Sequence, residues 1–258
     1  MKMSIKKYLF FTFLLSHGCW WSIIIANQFG YLKYGTPISM LLYLLGAWSP
    51  SIFGIRYKMS NSNLTIKMIV KDILHFRQPP IFYIMLLVSC LSFYITPLLL
   101  NEITLGLPVY ITILAIPVMM FGGGLEELGW RNLQLQLEKR LSFFLASFIT
   151  GCIWISWHLP LFLINGSEQS KMNPISYIIY MFGFAFLLGA ISRITKSVWL
   201  CALFHCLMNV GHGSFIVNET IMINTISTVI MMTLALVLIT VFKNNGYQSN
   251  VRNTYLVD

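Results

Sequence analysis

Three short stretches of this sequence hold residue types able to do chemistry. The first is Gly122-Gly123-Gly124-Leu125-Glu126-Glu127-Leu128-Gly129-Trp130-Arg131. In a helix, Glu127 and Arg131 stand four apart on one face while Glu126 points about 100° away, so one carboxylate is tethered and the other is free to react. The second stretch is Trp154-Ile155-Ser156-Trp157-His158-Leu159-Pro160, where Trp154 and His158 share a face and Pro160 removes a backbone hydrogen bond and bends the helix. The third is His205-Cys206-Leu207-Met208-Asn209, again a pair four apart. Together Glu126, Glu127, His158, His205 and Asn209 supply a general base, two imidazoles and an amide donor for a developing oxyanion. That inventory suits the addition of water to a carbonyl.

The elements that must position these residues are membrane helices. Of 258 residues, 57% are apolar and only 10% are charged, against about a quarter charged in a soluble domain. The same figures exclude a disordered chain. Apolar runs fall at about 8–28, 37–55, 81–100, 106–124, 142–164, 175–192, 197–212 and 221–242, giving eight spans of a single all-α membrane domain over 1–258. Lys2, Lys6 and Lys7 precede the first run, which continues without a small-x-small cleavage site and reads as a retained helix. The connection from Arg56 to Pro80 is long enough for an interfacial helix.

The net charge of +9 is scattered between apolar runs rather than gathered on one arm, which points to topology and away from nucleic acid. With the N-terminus cytoplasmic, fifteen of the seventeen Lys and Arg residues face the cytoplasm, Arg131 counted among them. Lys33 and Lys171 are the exceptions, and both termini are expected inside. On straight helices His158 lies ~24 Å along its span and His205 ~12 Å along its own. Tilt, the Pro160 bend, or a fourth helix that continues past Gly124 would bring them to one level.

Each pair also has a bland reading, because polar side chains hydrogen-bond membrane helices together. His17 and His212 stand alone and read as packed histidines. Asp72 and His75 lie in a basic loop that solvent or lipid headgroups account for. The five cysteines all sit in apolar runs, without CxxC spacing, and read as packing residues.

Glu126-Glu127-x-x-x-Arg131, an aromatic ahead of His158, and His205-x-x-x-Asn209 resemble, in order and spacing, the three motifs of the CPBP intramembrane proteases. This family includes the type II CAAX prenyl endopeptidases and bacterial bacteriocin-processing and self-immunity proteins. The strings Glu-Glu-Leu-Gly-Trp-Arg, Trp-His-Leu-Pro-Leu-Phe and Ser-Val-Trp-x-x-x-Leu-Phe-His look like its bacterial branch, and the motif region covers about 121–213. One departure is Trp154, at a position where the family usually has Phe. The resemblance implies that Glu126 and His158 activate water, that Glu127 and Arg131 organise their helix, and that His205 and Asn209 stabilise the oxyanion. Spacing leaves open which of the two carboxylates is the base.

No cofactor is required on this reading. The alternative is catalytic Zn²⁺ held by His158, His205 and Glu126, although the His-Glu-x-x-His helix that would mark such a site is missing. The expected function is an intramembrane endopeptidase of a bacterial plasma membrane, acting on a membrane-associated peptide or protein and serving peptide pheromone or bacteriocin maturation or immunity. A second reading keeps the fold and drops the chemistry, leaving a bacteriocin-immunity or peptide-binding membrane protein. A third uses the buried Glu and His residues as the proton relay of a transporter. The expected partners are the peptide substrate and membrane lipids.

Overall fold

The computed structural model describes residues 2–244, and it is built almost wholly of helices. In chain order these are α1 (Ile5–Gln28), α2 (Pro37–Ala47), α3 (Ser49–Asn61), α4 (Ile66–Ile73), α5 (Pro80–Leu99), α6 (Val109–Gly122), α7 (Glu127–Leu137), α8 (Phe143–His158), α9 (Pro174–Thr195), α10 (Val198–Ser214) and α11 (Ile221–Asn244). Strands β1 (Ile103–Leu105) and β2 (Phe215–Val217) pair antiparallel, with Thr104 opposite Ile216. They tie the α5–α6 connection to the α10–α11 connection.

The helix starts follow local chemistry. Ser4, Ser142 and Ser197 accept hydrogen bonds from the backbone N–H groups of Lys7, Leu145 and Leu200. Asn173 caps α9 in the same way, and α2, α5 and α9 each carry proline in the first turn, where no amide hydrogen is needed.

Among the described residues six helices are long and apolar enough to cross a membrane, with α2 and α3 counted as one span and α8 extended by the tight turn Leu159–Leu163. The bent pair of α6 with Gly124–Leu137 makes a seventh. The short run at 197–212 forms α10, whose 17 residues fall just under a full crossing of ~20 residues. The eight expected spans thus correspond to seven that are long enough to cross and the shorter, largely buried α10, which carries the chain from the end of α9 back to the strand pair.

Helix α9 is the central post, with fifteen of its 22 residues buried. Helices α11, α8 and α10 pack around it, α5 packs on α11, α1 on α2 and α3, and α3 on α7. The α3–α7 contact is close because it is made by Gly54 and Gly129. A Cβ on Gly54 would stand 2.8 Å from Gly129 Cα, and one on Gly129 would collide with the Pro50 carbonyl oxygen. Small residues at such a crossing let the backbones approach, which is how helices pack without a hydrophobic drive between them.

Three expectations change. The fourth span does not end at residue 124 with the Glu-Glu motif at its inner end; it breaks at Gly123, turns by 40°, and continues to Leu137. Three glycines in a row make the break cheap, because they offer no side chains to hold a regular helix. Lipid cannot satisfy the backbone groups freed there, and the second span does so instead. The Trp48 indole donates to the Phe121 carbonyl at 2.6 Å, and the Ser51 hydroxyl donates to the Leu125 carbonyl at 2.6 Å.

Arg131 is accordingly not a loop cation but a buried residue, 2% exposed, within the span. It leaves the count of topology markers. Arg252 and the Lys243 side chain, also in that count, lie outside the described residues. Pro160, expected to bend its helix, ends it: α8 stops at His158 and gives way to the tight turn Leu159–Leu163.

Candidate active site

The continuation of α7 past the break brings Glu127, His205 and Trp154 to similar depths, while His158 lies one turn further along α8 and is tied to Trp154. Counted in helix rise from their ends on the basic face of the bundle, Glu127 lies ~15 Å up α7, His205 ~10 Å up α10 and Trp154 ~16 Å up α8. Those three elements meet at the glycine break.

Glu126 closes the tight turn Gly124–Glu126 and Glu127 opens α7, so the two neighbours face different partners. Glu127 is fully buried, and both of its oxygens are engaged. Oε1 accepts from His205 Nδ1 at 2.8 Å, and Oε2 pairs with Arg131 Nε at 2.7 Å. Arg131 in turn donates to the Gln134 amide oxygen. The Gln134 amide nitrogen donates to Ser147 Oγ at 2.9 Å and to Glu138 Oε1 at 3.2 Å. Glu138 then meets Arg193 at 3.1 Å near the basic face. Each charge is paired with an opposite charge and makes at least one hydrogen bond, as ions kept out of water require, although the buried Arg131 Nη2 has no hydrogen-bond partner among the described residues.

Glu126 is 6% exposed and is held differently. Its Oε2 accepts from the indole N–H groups of Trp154 at 3.2 Å and Trp130 at 3.4 Å. Both donors fall on Oε2, which leaves Oε1 as the oxygen available to a water or a substrate. Among the described residues no cation pairs directly with this carboxylate.

Trp154 is the hub. Besides bonding Glu126, its backbone carbonyl accepts from His158 Nδ1 at 2.9 Å, and its ring meets the His205 ring edge-on with centroids 5.5 Å apart. Because a carbonyl can only accept, His158 carries its proton on Nδ1 and presents an Nε2 lone pair. The Trp157 and Tyr177 rings flank that imidazole, at centroid distances of 4.7 and 5.8 Å.

His205 Nε2 and Asn209 Nδ2 both face the glycine break. A Cβ built on Gly123 would stand 2.9 Å from Asn209 Nδ2 and 3.1 Å from His205 Nε2. The break therefore places two nitrogen groups side by side against a backbone stripped of side chains. Only glycine leaves them that room.

The structure brings Glu126, Glu127, Arg131, Trp154, His158, His205 and Asn209 into one region. His17 and His212 stand apart from it: His17 packs against Phe13 and Trp20, and His212 lies 3.8 Å from Glu219. Sequence reasoning missed Trp130 and Gln134, whose spacing of four and seven residues from Glu126 and Glu127 was the available signal. It also missed Trp48 and Ser51, and quoted Gly123 without seeing that it shapes the break.

The zinc set His158, His205 and Glu126 is not assembled as one ligand group in this structure. Among the described residues no three His, Cys, Asp or Glu side chains are grouped to hold a metal ion.

A family model described as Type II CAAX prenyl endopeptidase Rce1-like matches residues 108–211, from the start of α6 to near the end of α10. All of the residues gathered above from α6 to α10 lie inside it. The chain is also 28% identical over 129 residues to CAAX prenyl protease 2 of Methanococcus maripaludis, an alignment covering 47% of this chain and 48% of that protein. The chain thus spans about half the length of the curated relative it matches. Both matches support the resemblance to the CPBP family carried by the three motifs, and with the apolar helices they support a multi-pass membrane protein.

Proposed function

We propose that this protein is an intramembrane endopeptidase that hydrolyses a peptide bond of a membrane-associated peptide or protein with a glutamate-activated water. The observation that carries the reading is the division between the adjacent carboxylates. Glu127 has both oxygens committed to His205 and Arg131, whereas Glu126 keeps an oxygen for water.

In this reading Glu126 takes a proton from water, with His158 Nε2 accepting the second water hydrogen bond and orienting the lone pair. The nascent hydroxide attacks the scissile carbonyl carbon. Asn209 Nδ2 and His205 Nε2 donate to the oxygen that becomes negative, the arrangement that most often supplies the largest part of acyl-transfer catalysis. His205 can donate from Nε2 only as an imidazolium, and Glu127 at its Nδ1 stabilises that charge. Collapse of the tetrahedral intermediate breaks the C–N bond, and Glu126 passes its proton to the leaving amine. Arg131 and Glu127 act through His205 as positioning residues.

The relative's name denotes a protease of prenylated CAAX substrates. For this chain we assign the broader class of membrane-associated peptides, including bacteriocin or pheromone precursors, in a bacterial plasma membrane with both termini cytoplasmic. The topology rests on the excess of Lys and Arg in alternate connections.

The test is quantitative peptidomics of cells and medium, comparing the wild type with Glu126→Gln and His205→Ala at equal membrane levels. A precursor that accumulates, and whose product vanishes, in both variants supports hydrolysis and identifies the substrate. If neither variant changes any peptide while both rescue a deletion phenotype, the motifs are scaffold and the protein is an immunity or peptide-binding protein.

A further inference from the structure

Helix α4 runs between the second and third spans and is strongly amphipathic. Ile69 and Ile73 are buried in a small cluster with Leu128 of α7 and Val198 of α10, against which Leu125 packs from the glycine break. The opposite side is exposed and carries Ile66, Met68 and Val70 beside Lys67 and Lys71. A helix with one anchored apolar edge and mixed apolar and cationic exposed positions lies in the headgroup layer of a membrane.

Beside α4 is an open groove of about 830 Å³. Lys58, Lys71, Arg77 and Lys196 line it with His75, and Asp72 is the single carboxylate there, so its net charge is +3 with the histidine neutral. The four cations come from three separate parts of the chain: the end of α3, α4 with its following turn, and the left-handed residue that ends α9. Met68, Leu74 and Phe76 line the same groove and are 49%, 58% and 59% exposed.

A concave, cationic surface with an apolar lip matches an amphiphile with an anionic head. A free anion would use the cations and leave the lip uncovered. We propose that this groove is a binding site for an anionic phospholipid, its phosphate held by Lys58, Lys71, Arg77 and Lys196 and its acyl chains lying along Met68, Leu74 and Phe76. Membrane-surface cations gain from anionic headgroups with an energy that corresponds to about fivefold in binding for each Lys or Arg. The site is separate from the residues assigned to hydrolysis and does not depend on that assignment.

The test uses the full chain in detergent micelles, with retention of phosphatidylglycerol or phosphatidylcholine measured by native mass spectrometry. Phosphatidylglycerol should be retained in preference, and Lys71→Gln/Arg77→Gln should weaken its retention about fivefold for each cation removed. Lys139→Gln/Arg140→Gln removes the same charge from an exposed loop elsewhere on the basic face and should leave retention unchanged. Lys196→Gln, on a different element, should reproduce a single-cation loss and guards against an α4 variant that merely unfolds. Equal losses in the groove and loop variants would overturn the site in favour of diffuse surface charge. Equal retention of the two lipids would also overturn it, and full displacement by millimolar inorganic phosphate would make the groove a free-anion site instead.

Discussion

The two halves of the broken fourth span have opposite solvents. Helix α6, with mostly apolar residues, has none of its 14 residues buried. Helix α7 follows it after one tight turn, carries Glu127, Arg131 and Gln134, and has seven of its 11 residues buried. In a water-soluble protein the apolar half would go inside. Here lipid solvates α6 at no cost, while α7 must be enclosed because protein alone can supply partners for its charges. Polarity inside a membrane therefore marks the protein interior, and the break at Gly123 is where one chain passes from lipid to the site.

The largest effect that would sharpen this contrast is expected at Arg131. Arg131→Met leaves Glu127 buried without its cation and should cost about 3–5 kcal/mol. The measurement is a thermal or denaturant midpoint in detergent, and a loss under 1 kcal/mol would break the comparison. Asn209→Ala should leave that midpoint in place and lower cleavage of the identified precursor about 10²–10³-fold, the usual effect of removing one oxyanion donor. Trp154→Phe keeps the packing and removes one donor to Glu126. It should lower the cleavage rate roughly tenfold, in line with a lost hydrogen bond to a charged group. The smallest effect belongs to α6: Leu114→Ala, at a position 73% exposed, should shift stability by no more than about 0.5 kcal/mol and leave cleavage intact. Helix α6 packs along one side against α10, so a large loss there would mean that the exposed side also meets protein.

Much of this architecture was legible in the sequence. Apolar runs located the spans because the bilayer imposes a length, and the long connection after Arg56 contained α4 as expected. The pairs Glu127–Arg131, Trp154–His158 and His205–Asn209 were visible because helical spacing sets faces. The course of the fourth span was legible only as one of three options, since hydropathy reads α7 as a polar loop. Its polar residues are paired with His205, Ser147 and each other across helices, and no local signal encodes such partners. Arg131 illustrates the same gap: by composition it is a topology marker, and only its ion pair shows it to be interior. The split between Glu126 and Glu127 likewise depended on which oxygens face which helix.

The central claim is that two adjacent glutamates in one buried site have separate duties. The most direct test compares Glu126→Gln with Glu127→Gln in purified full-length protein, reading the unfolding midpoint and the cleavage rate of the identified precursor side by side. Glu126→Gln should keep the midpoint within about 1 kcal/mol and lose cleavage by about 10²–10⁴-fold, as expected for a general base. Glu127→Gln should lower the midpoint markedly, because Arg131 then lacks its counter-charge. The reverse pattern, with Glu127→Gln stable but inactive and Glu126→Gln still cleaving, would contradict the account.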